Sequence, residues 1–297
     1  MRRRILLNCK QIILIVSLII SCQYILFSQE TKINIQKNTG LYIGISLGQS
    51  KSQIINTETS SVSSLTSNKT NSTVGAVEIG YLLSENFGLS SGIGFSSYGT
   101  NLKLDNYQCK IGTLDSENES YELNISGFGI SEEQLITYIN IPLNINLQIP
   151  FSKKFGFIFS PGINVAFPIG NSYQNRGTFS YKGYYASYNV LFENLPEYGF
   201  PSNLSCISKG QLELKPFAFN ALVTSGFYLF IKNKVQIAIT ASYNKSLSAI
   251  SNYPSPNNFR LSSEVNEINS LMGGSSKTTV QSMGVQIILR YFLIKKV

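Results

Sequence analysis

Ile139-Asn140-Ile141-Pro142-Leu143-Asn144-Ile145-Asn146-Leu147-Gln148-Ile149 alternates aliphatic and amide side chains, broken only by Pro142. Successive residues of a strand point to opposite faces, so this segment has one hydrocarbon face and one amide face. Seven more stretches carry the same rhythm. They are centred on Leu41–Leu47, Val77–Leu83, Leu89–Phe95, Phe155–Phe167, Phe217–Leu229, Val235–Tyr243 and Met283–Tyr291. Leu222 and Phe230 break the pattern in the sixth of the eight. A soluble sandwich would bury the aliphatic face and load the other with Lys, Glu and Thr. Here the second face is mostly Gly, Ser, Ala and Asn. Small side chains suit the cramped inside of an eight-stranded barrel. The large apolar face is then left to meet lipid.

The spacing between strands agrees. Short connections at Ser84–Phe87, Pro150–Lys154 and Lys232–Lys234 alternate with long ones at Gln49–Thr73, Gly99–Gln134, Gly170–Lys215 and Leu247–Thr278. Membrane barrels have short periplasmic turns and longer extracellular loops. The expectation is an all-β, eight-stranded antiparallel up-and-down transmembrane β-barrel with both termini in the periplasm. Tyr81, Phe87, Phe151, Tyr291 and Phe292 fall near its periplasmic rim, where aromatic girdles form. The first long loop, Ser60–Thr73, is Ser/Thr/Asn-rich and is expected to be mobile. A soluble lipocalin-like barrel or β-sandwich is the competing fold.

Arg2-Arg3-Arg4 and Lys10 precede an apolar run from Ile12 to Phe27, the layout of a secretory signal. Residues 1–28 are read as a cleaved signal peptide, 29–39 as a periplasmic segment and 40–297 as the barrel. Ile19-Ile20-Ser21-Cys22 leaves a lipoprotein alternative open, with lipid on Cys22. The chain carries 24 basic and 16 acidic residues. Cleavage after Ser28 would remove four basic residues and no acidic ones, leaving +4. The pI of about 9.2 therefore owes much to the signal and does not argue for nucleic acid. No later stretch approaches the length of a transmembrane helix.

Histidine is absent. Imidazole-dependent acid–base and nucleophilic chemistry is therefore excluded. No Gly-x-Ser-x-Gly elbow, phosphate-binding loop or metal-ligand cluster is present. No catalysis, cofactor or metal is expected. Glu78 and Arg290 fall on the inward face of strands that flank the first, and charges in a narrow lumen demand partners. An interior salt bridge or hydrogen-bond network including both is expected. Asn140, Asn144, Asn146 and Gln148 are read as cross-linking amides in a packed interior, with a polar water track as the alternative. Pro142 is expected to mark a bulge or bend. Cys109 and Cys206 lie in two long loops of an exported chain and are expected to form a disulfide. Tyr173, Tyr181, Tyr184, Tyr185, Tyr188 and Tyr198 are interleaved with Ser, Asn and Gly, a mix that suits binding surfaces. A loop packed on itself as a cap is the equal alternative.

Tyr138-Ile139-Asn140-Ile141-Pro142-Leu143, the Pro161-Gly162 step and the signal ending Phe27-Ser28-Gln29 resemble the PorT-like outer-membrane β-barrel proteins of the Bacteroidetes. The resemblance spans about residues 38–293. It implies the barrel fold and, for a few members, association with secretion and gliding machinery. It supplies no catalytic residues. The expected role is structural or surface-binding through the long loops. The expected setting is the cell outer membrane. Outer-membrane lipid surrounds a monomer there, and the loops meet an extracellular or envelope protein or glycan. A narrow pore or gated channel, a secretion-associated barrel and a histidine-independent envelope enzyme remain alternatives.

Overall fold

The computed structural model describes residues 39–57, 65–231, 234–253 and 259–293. The signal peptide and nearly all of segment 29–39 lie outside them. Ten strands are formed among the described residues: β1 Gly40–Thr57, β2 Thr66–Leu82, β3 Phe87–Leu114, β4 Ser120–Pro150, β5 Phe155–Tyr185, β6 Val190–Glu193, β7 Leu204–Gly210, β8 Ala218–Ile231, β9 Val235–Ser246 and β10 Lys277–Phe292. Eight of them close an antiparallel ring, β1-β2-β3-β4-β5-β8-β9-β10, with β10 returning to β1. The first and last strands meet at Tyr42↔Phe292. This is the expected barrel.

The turns at Ser84–Phe87 and Pro150–Lys154 use one local device, and the expected turn at Lys232–Lys234 lies mostly outside the described residues. Ser84 Oγ accepts the N–H groups of Asn86 and Phe87 at 3.3 and 3.1 Å, and Ser152 Oγ accepts those of Lys154 and Phe155 at 3.4 and 3.1 Å. A hydroxyl that ties down its own backbone two and three residues on favours a tight turn over strand continuation. Across the next stretch of the ring strands most aliphatic residues face outward, with Leu82, Ile158 and Ile288 turned in. Val77 is 62% exposed, Ile93 65% and Ile287 58%. Tyr81, Phe87, Phe151 and Tyr291 are exposed near the turn end as expected, but Phe292 points inward and is buried. Among the described residues no helix is long and apolar enough to cross a membrane. Pro142 causes no bulge, because the β3–β4 register is the same on either side of it, at Ser91↔Leu143 and Gly94↔Asn140.

Three of the four expected long loops are largely strand, and the fourth, Leu247–Thr278, is not. The segment 99–134 is an extended hairpin, with β3 and β4 paired out to Leu114↔Ser120. Thr66–Thr73, read as mobile, belongs to β2. The segment 170–215 begins as β5 and then folds back, so that β7 and β6 pair with β5 above the point where β8 leaves it. β4 and β5 have 31 residues each. At about 3.3 Å per residue that is roughly 100 Å of strand, or roughly 80 Å of height at a tilt of about 40°. A bilayer core takes about 30 Å. The remainder forms a β-head beyond the apolar belt, with its own core of Leu102, Leu104, Ile125, Ile130, Phe179 and Tyr181.

Candidate functional site

The lumen is occupied along its length. At the turn end Tyr42, Leu82, Ile158, Tyr228, Phe230 and Phe292 form an apolar floor. Above it Arg290 Nε donates to Glu78 Oε1 at 2.6 Å. The guanidinium also donates to Gln236 Oε1 at 3.3 Å and Asn146 Oδ1 at 3.1 Å, and lies 4.9 Å from the Tyr42 ring centre. Both charged residues stand in register with Gly44 of the strand between them. A Cβ at Gly44 would come within 2.8 Å of Glu78 Oε1 and 3.1 Å of Arg290 Cγ, so the ion pair crosses over a residue with no side chain.

The amides of β4 tie strands together. Asn146 Nδ2 donates to Ser90 Oγ at 2.9 Å and Tyr42 Oη at 3.2 Å, and its Oδ1 accepts from Ser160 Oγ at 2.9 Å. Asn140 Nδ2 donates to Ser96 Oγ at 2.9 Å and Asn140 Oδ1 accepts from Asn164 at 3.1 Å. Gln148 accepts from Gln236 Nε2 at 3.2 Å. A polar void of about 90 Å³ remains beside Asn144 and Thr224. Above it Ile54, Tyr98, Ile136, Tyr138, Met272 and Val280 form a second apolar layer.

Part of the last long connection folds into the barrel mouth. Leu271–Gly274 is a buried 3₁₀ turn capped by Ser270. It is held by Glu132, which is fully buried and has no cation beside it among the described residues. Glu132 Oε1 accepts from Ser270 Oγ and Gln134 Nε2, both at 2.7 Å, while Oε2 accepts from the Leu271 N–H at 2.7 Å and Asn175 Nδ2 at 3.3 Å. Burial pushes this carboxyl above its ordinary range, against the pull of those donors. The sequence reading missed Glu132, because it falls in a segment read as loop.

A cleft of about 910 Å³ opens at the tip of the head. Its floor is the turn Asp115–Glu119. Asp115 Oδ1 accepts the N–H groups of Glu117 and Glu119, both at 2.9 Å, and Asn118 takes the left-handed conformation at φ 64°. Asp and Asn favour that geometry because their short side chains bond locally and tolerate positive φ. The wall is aromatic. Tyr121 and Tyr185 stack at 5.0 Å, Phe200 meets Tyr121 edge-on at 5.9 Å, and Phe192 meets Tyr185 edge-on at 5.4 Å. Tyr188 and Tyr198 stand at the rim, together with Glu117, Glu119 and Glu197. Tyr185 Oη donates to Asp115 Oδ2 at 3.0 Å and Tyr188 Oη to Glu119 Oε1 at 2.6 Å. The backbone donor at Glu119 leads in holding the Asp115 carboxyl below its usual range, and burial followed by Asp115 pushes the Tyr185 phenol up to about 12.

Three of the six expected tyrosines therefore meet in one place: Tyr185, Tyr188 and Tyr198. Tyr173 packs on the second apolar layer and Tyr181 is buried in the head core. Tyr184 lines a shallower neighbouring cavity with Thr113, Tyr121 and Glu122. Tyr121, Phe192, Phe200 and the four acids were not foreseen. They come from a different hairpin or from single positions without local periodicity.

Cys109 and Cys206 are both free, so the expected disulfide is not formed. Cys109 pairs with Ile125 on β4, Ile125 with Tyr181 on β5, and Cys206 sits beyond β5 against Gly177. Three strand steps of about 4.8 Å around the sheet separate the two cysteines. Disulfide Cα atoms tolerate only about 7 Å. Among the described residues no group of three or more His, Cys, Asp or Glu side chains is placed to hold a metal ion.

No curated protein matches this chain. Among solved structures it is similar to the outer membrane protein OprG from Pseudomonas aeruginosa, at 12% identity and a TM-score of 0.36, over 89% of this chain and 100% of that one. It is similar to Ail, the attachment invasion locus protein of Yersinia pestis, at 11% and 0.30, over 85% and 99%. It is also similar to the outer membrane protease OmpT from Escherichia coli, at 12% and 0.36, over 86% and 97%. At these identities and scores none of the three bears on this chain's role. The model of the outer membrane protein beta-barrel domain family matches residues 27–252 of the 297, and the chain belongs to that family.

Proposed function

We propose that this outer-membrane barrel is a non-conducting, non-catalytic anchor that displays a rigid binding head at the cell surface. The chain is exported by cleavage of residues 1–28 and works as a monomer, with both termini in the periplasm. An even number of strands returns the chain to its starting side, and short turns in such barrels face the periplasm. The head is then extracellular, and its partner is an envelope or extracellular protein or glycan. The PorT-like affiliation belongs to the same reading and rests on the Tyr138–Leu143 segment.

The carrying observation is the contrast between a lumen packed in layers and an open aromatic–acidic cleft at the far end. Absence of histidine supports the non-catalytic part. Two measurements test the reading. Purified protein in planar bilayers is expected to give no unitary current steps, and regular steps would overturn it in favour of a pore. Glu117→Cys, in a Cys109→Ser background, is expected to react with a membrane-impermeant maleimide on intact cells. Labelling only after lysis would overturn the orientation.

A further inference from the structure

We infer that the tip cleft receives a cationic side chain, a lysine ammonium or arginine guanidinium, presented by a peptide segment of a protein partner. The inference deepens the surface-binding reading and rests on it. The ligand's sign comes from the lining. Asp115, Glu117, Glu119 and Glu197 border the cleft, and no lysine or arginine among the described residues does. The head's nearby lysines are already engaged, Lys110 with Glu122 and Lys182 with Glu193. Four carboxylates without a counter-charge, set around low-dielectric aromatic walls, concentrate a negative potential inside the cleft.

The rings set the ligand's kind. A metal ion would need several oxygens converging on one point, and no such set exists among the described residues. Instead Tyr121, Tyr185, Phe192 and Phe200 form a continuous ring cluster, from stacked Tyr121–Tyr185 to Phe192 and Phe200 at 6.3 Å. Ring faces attract organic cations, which shed water more readily than metal ions. Asp115 and Glu119 are fixed by the phenols of Tyr185 and Tyr188, while the Glu117 and Glu197 side chains have no hydrogen-bond or ion-pair partner among the described residues. The first pair shapes the cleft and the second is free to bond the guest. A volume of about 910 Å³ exceeds one ammonium group and suits a side chain with its flanking backbone.

The test uses the full chain in detergent micelles and fluorescence anisotropy with a labelled pentalysine peptide. Acetylating the lysines is expected to weaken binding about tenfold or more, as loss of charge-assisted bonds and cation–π contact requires. Raising NaCl from about 50 to about 300 mM is expected to weaken it too. Glu117→Gln with Glu197→Gln should cost about five- to tenfold, and Tyr198→Ala about threefold. All three are exposed positions, so heat-modifiable migration on gels should stay normal.

Equal binding of the acetylated peptide, or an unchanged double variant, overturns the inference. So does tetramethylammonium binding where pentalysine does not, which would make the guest a small quaternary ammonium. Binding of maltotriose alone would make the site a glycan site. Any of these outcomes, with Glu117→Cys still labelled on intact cells, leaves the surface-binding reading standing. Failure of that labelling defeats both.

Discussion

The belt and the head are built from the same strands with opposite polarity. Within the belt β3 turns Leu89, Ile93 and Phe95 outward and Ser90, Gly94 and Ser96 inward. A few residues on, Asn101, Lys103 and Lys110 face out while Leu102, Leu104 and Ile111 are buried. β4 and β5 change in the same way: Asn140 and Asn164 lie inside the belt, Ile125 and Phe179 inside the head. Outside the head, ion pairs such as Arg176–Glu133 at 3.6 Å replace the hydrocarbon of the belt. A strand that leaves lipid for water must exchange its faces, since apolar surface is then stabilised only inside. The belt is thus held by lipid outside and hydrogen bonds inside, the head by a hydrophobic core. The two regions should fail in different ways.

The largest effect belongs to the belt. Arg290→Leu strands Glu78 in the lumen together with the acceptor on Gln236, while Asn146 Oδ1 keeps its bond from Ser160. Removing one partner of a buried pair costs about 3–5 kcal/mol. Urea unfolding in lipid vesicles should show that loss, and Glu78→Gln added to Arg290→Leu should recover part of it. An unchanged midpoint for the single variant would mean that the packed lumen does not depend on the pair. Next comes the head. Ile125→Ala should cost about 3 kcal/mol through lost burial and a cavity. Limited proteolysis should then cut the head first and leave a protected belt. Simultaneous loss of both would show one cooperative unit instead of two.

The belt was legible because lipid and a narrow lumen enforce one rule over every strand: large apolar out, small or polar in. That parity also placed Glu78 and Arg290 together, two strands flanking β1. The head was misread as loop for physical reasons. Its apolar face is the other one, and bulges shift the phase between the two regions. The β4–β5 register slips between Phe128 and Ser131, beside Gly129 at φ 61°, and again between Thr137 and Tyr138. Such a slip moves every later side chain to the opposite face. Tyr173 and Tyr181, for which a binding surface and a self-packed cap are equal readings from sequence, are turned inward by the strand. The cleft was half visible as tyrosine content. Three of its four acids lie some 70 residues away on the Asp115 turn, and the β4–β5 pairing brings them to Tyr185.

A smaller effect separates the mouth from both regions. Glu132 holds Ser270 and Leu271 with its two oxygens. Glu132→Leu leaves the Leu271 N–H unpaired, at about 1–3 kcal/mol for a stranded buried group, while the Asn175 amide keeps the Asn269 carbonyl at 2.8 Å. Glu132→Gln is expected to be far milder. Its amide can meet Ser270 Oγ or the Oε1 of Gln134, which is buried without a partner among the described residues. The pH dependence has a fixed sign. Burial raises the folded carboxyl above its ordinary value of 4.5, so its stabilising contribution is full below that value and is lost as pH rises through the raised one. The protection factor at Leu271, with the base-catalysed intrinsic exchange rate divided out, should fall over that window in the parent chain and stay flat in Glu132→Gln. The same slope in both would assign it to another group.

The smallest expected effect is on the cysteines, and it tests whether the head is a packed body or a pair of loops tied together. Cys206 is buried in the head core with its Sγ 3.9 Å from Asn266 Oδ1, while Cys109 is partly exposed. A head held by packing needs no bridge. Cys109→Ser with Cys206→Ser should therefore leave the unfolding midpoint unchanged within about 0.5 kcal/mol, the usual range for substitutions away from special features. In the folded parent a maleimide should modify Cys109 and reach Cys206 only in urea. Protection of both thiols, released together by a reductant, would mean that the strands between them give way to a covalent tie and that the head is less rigid than its sheet register requires.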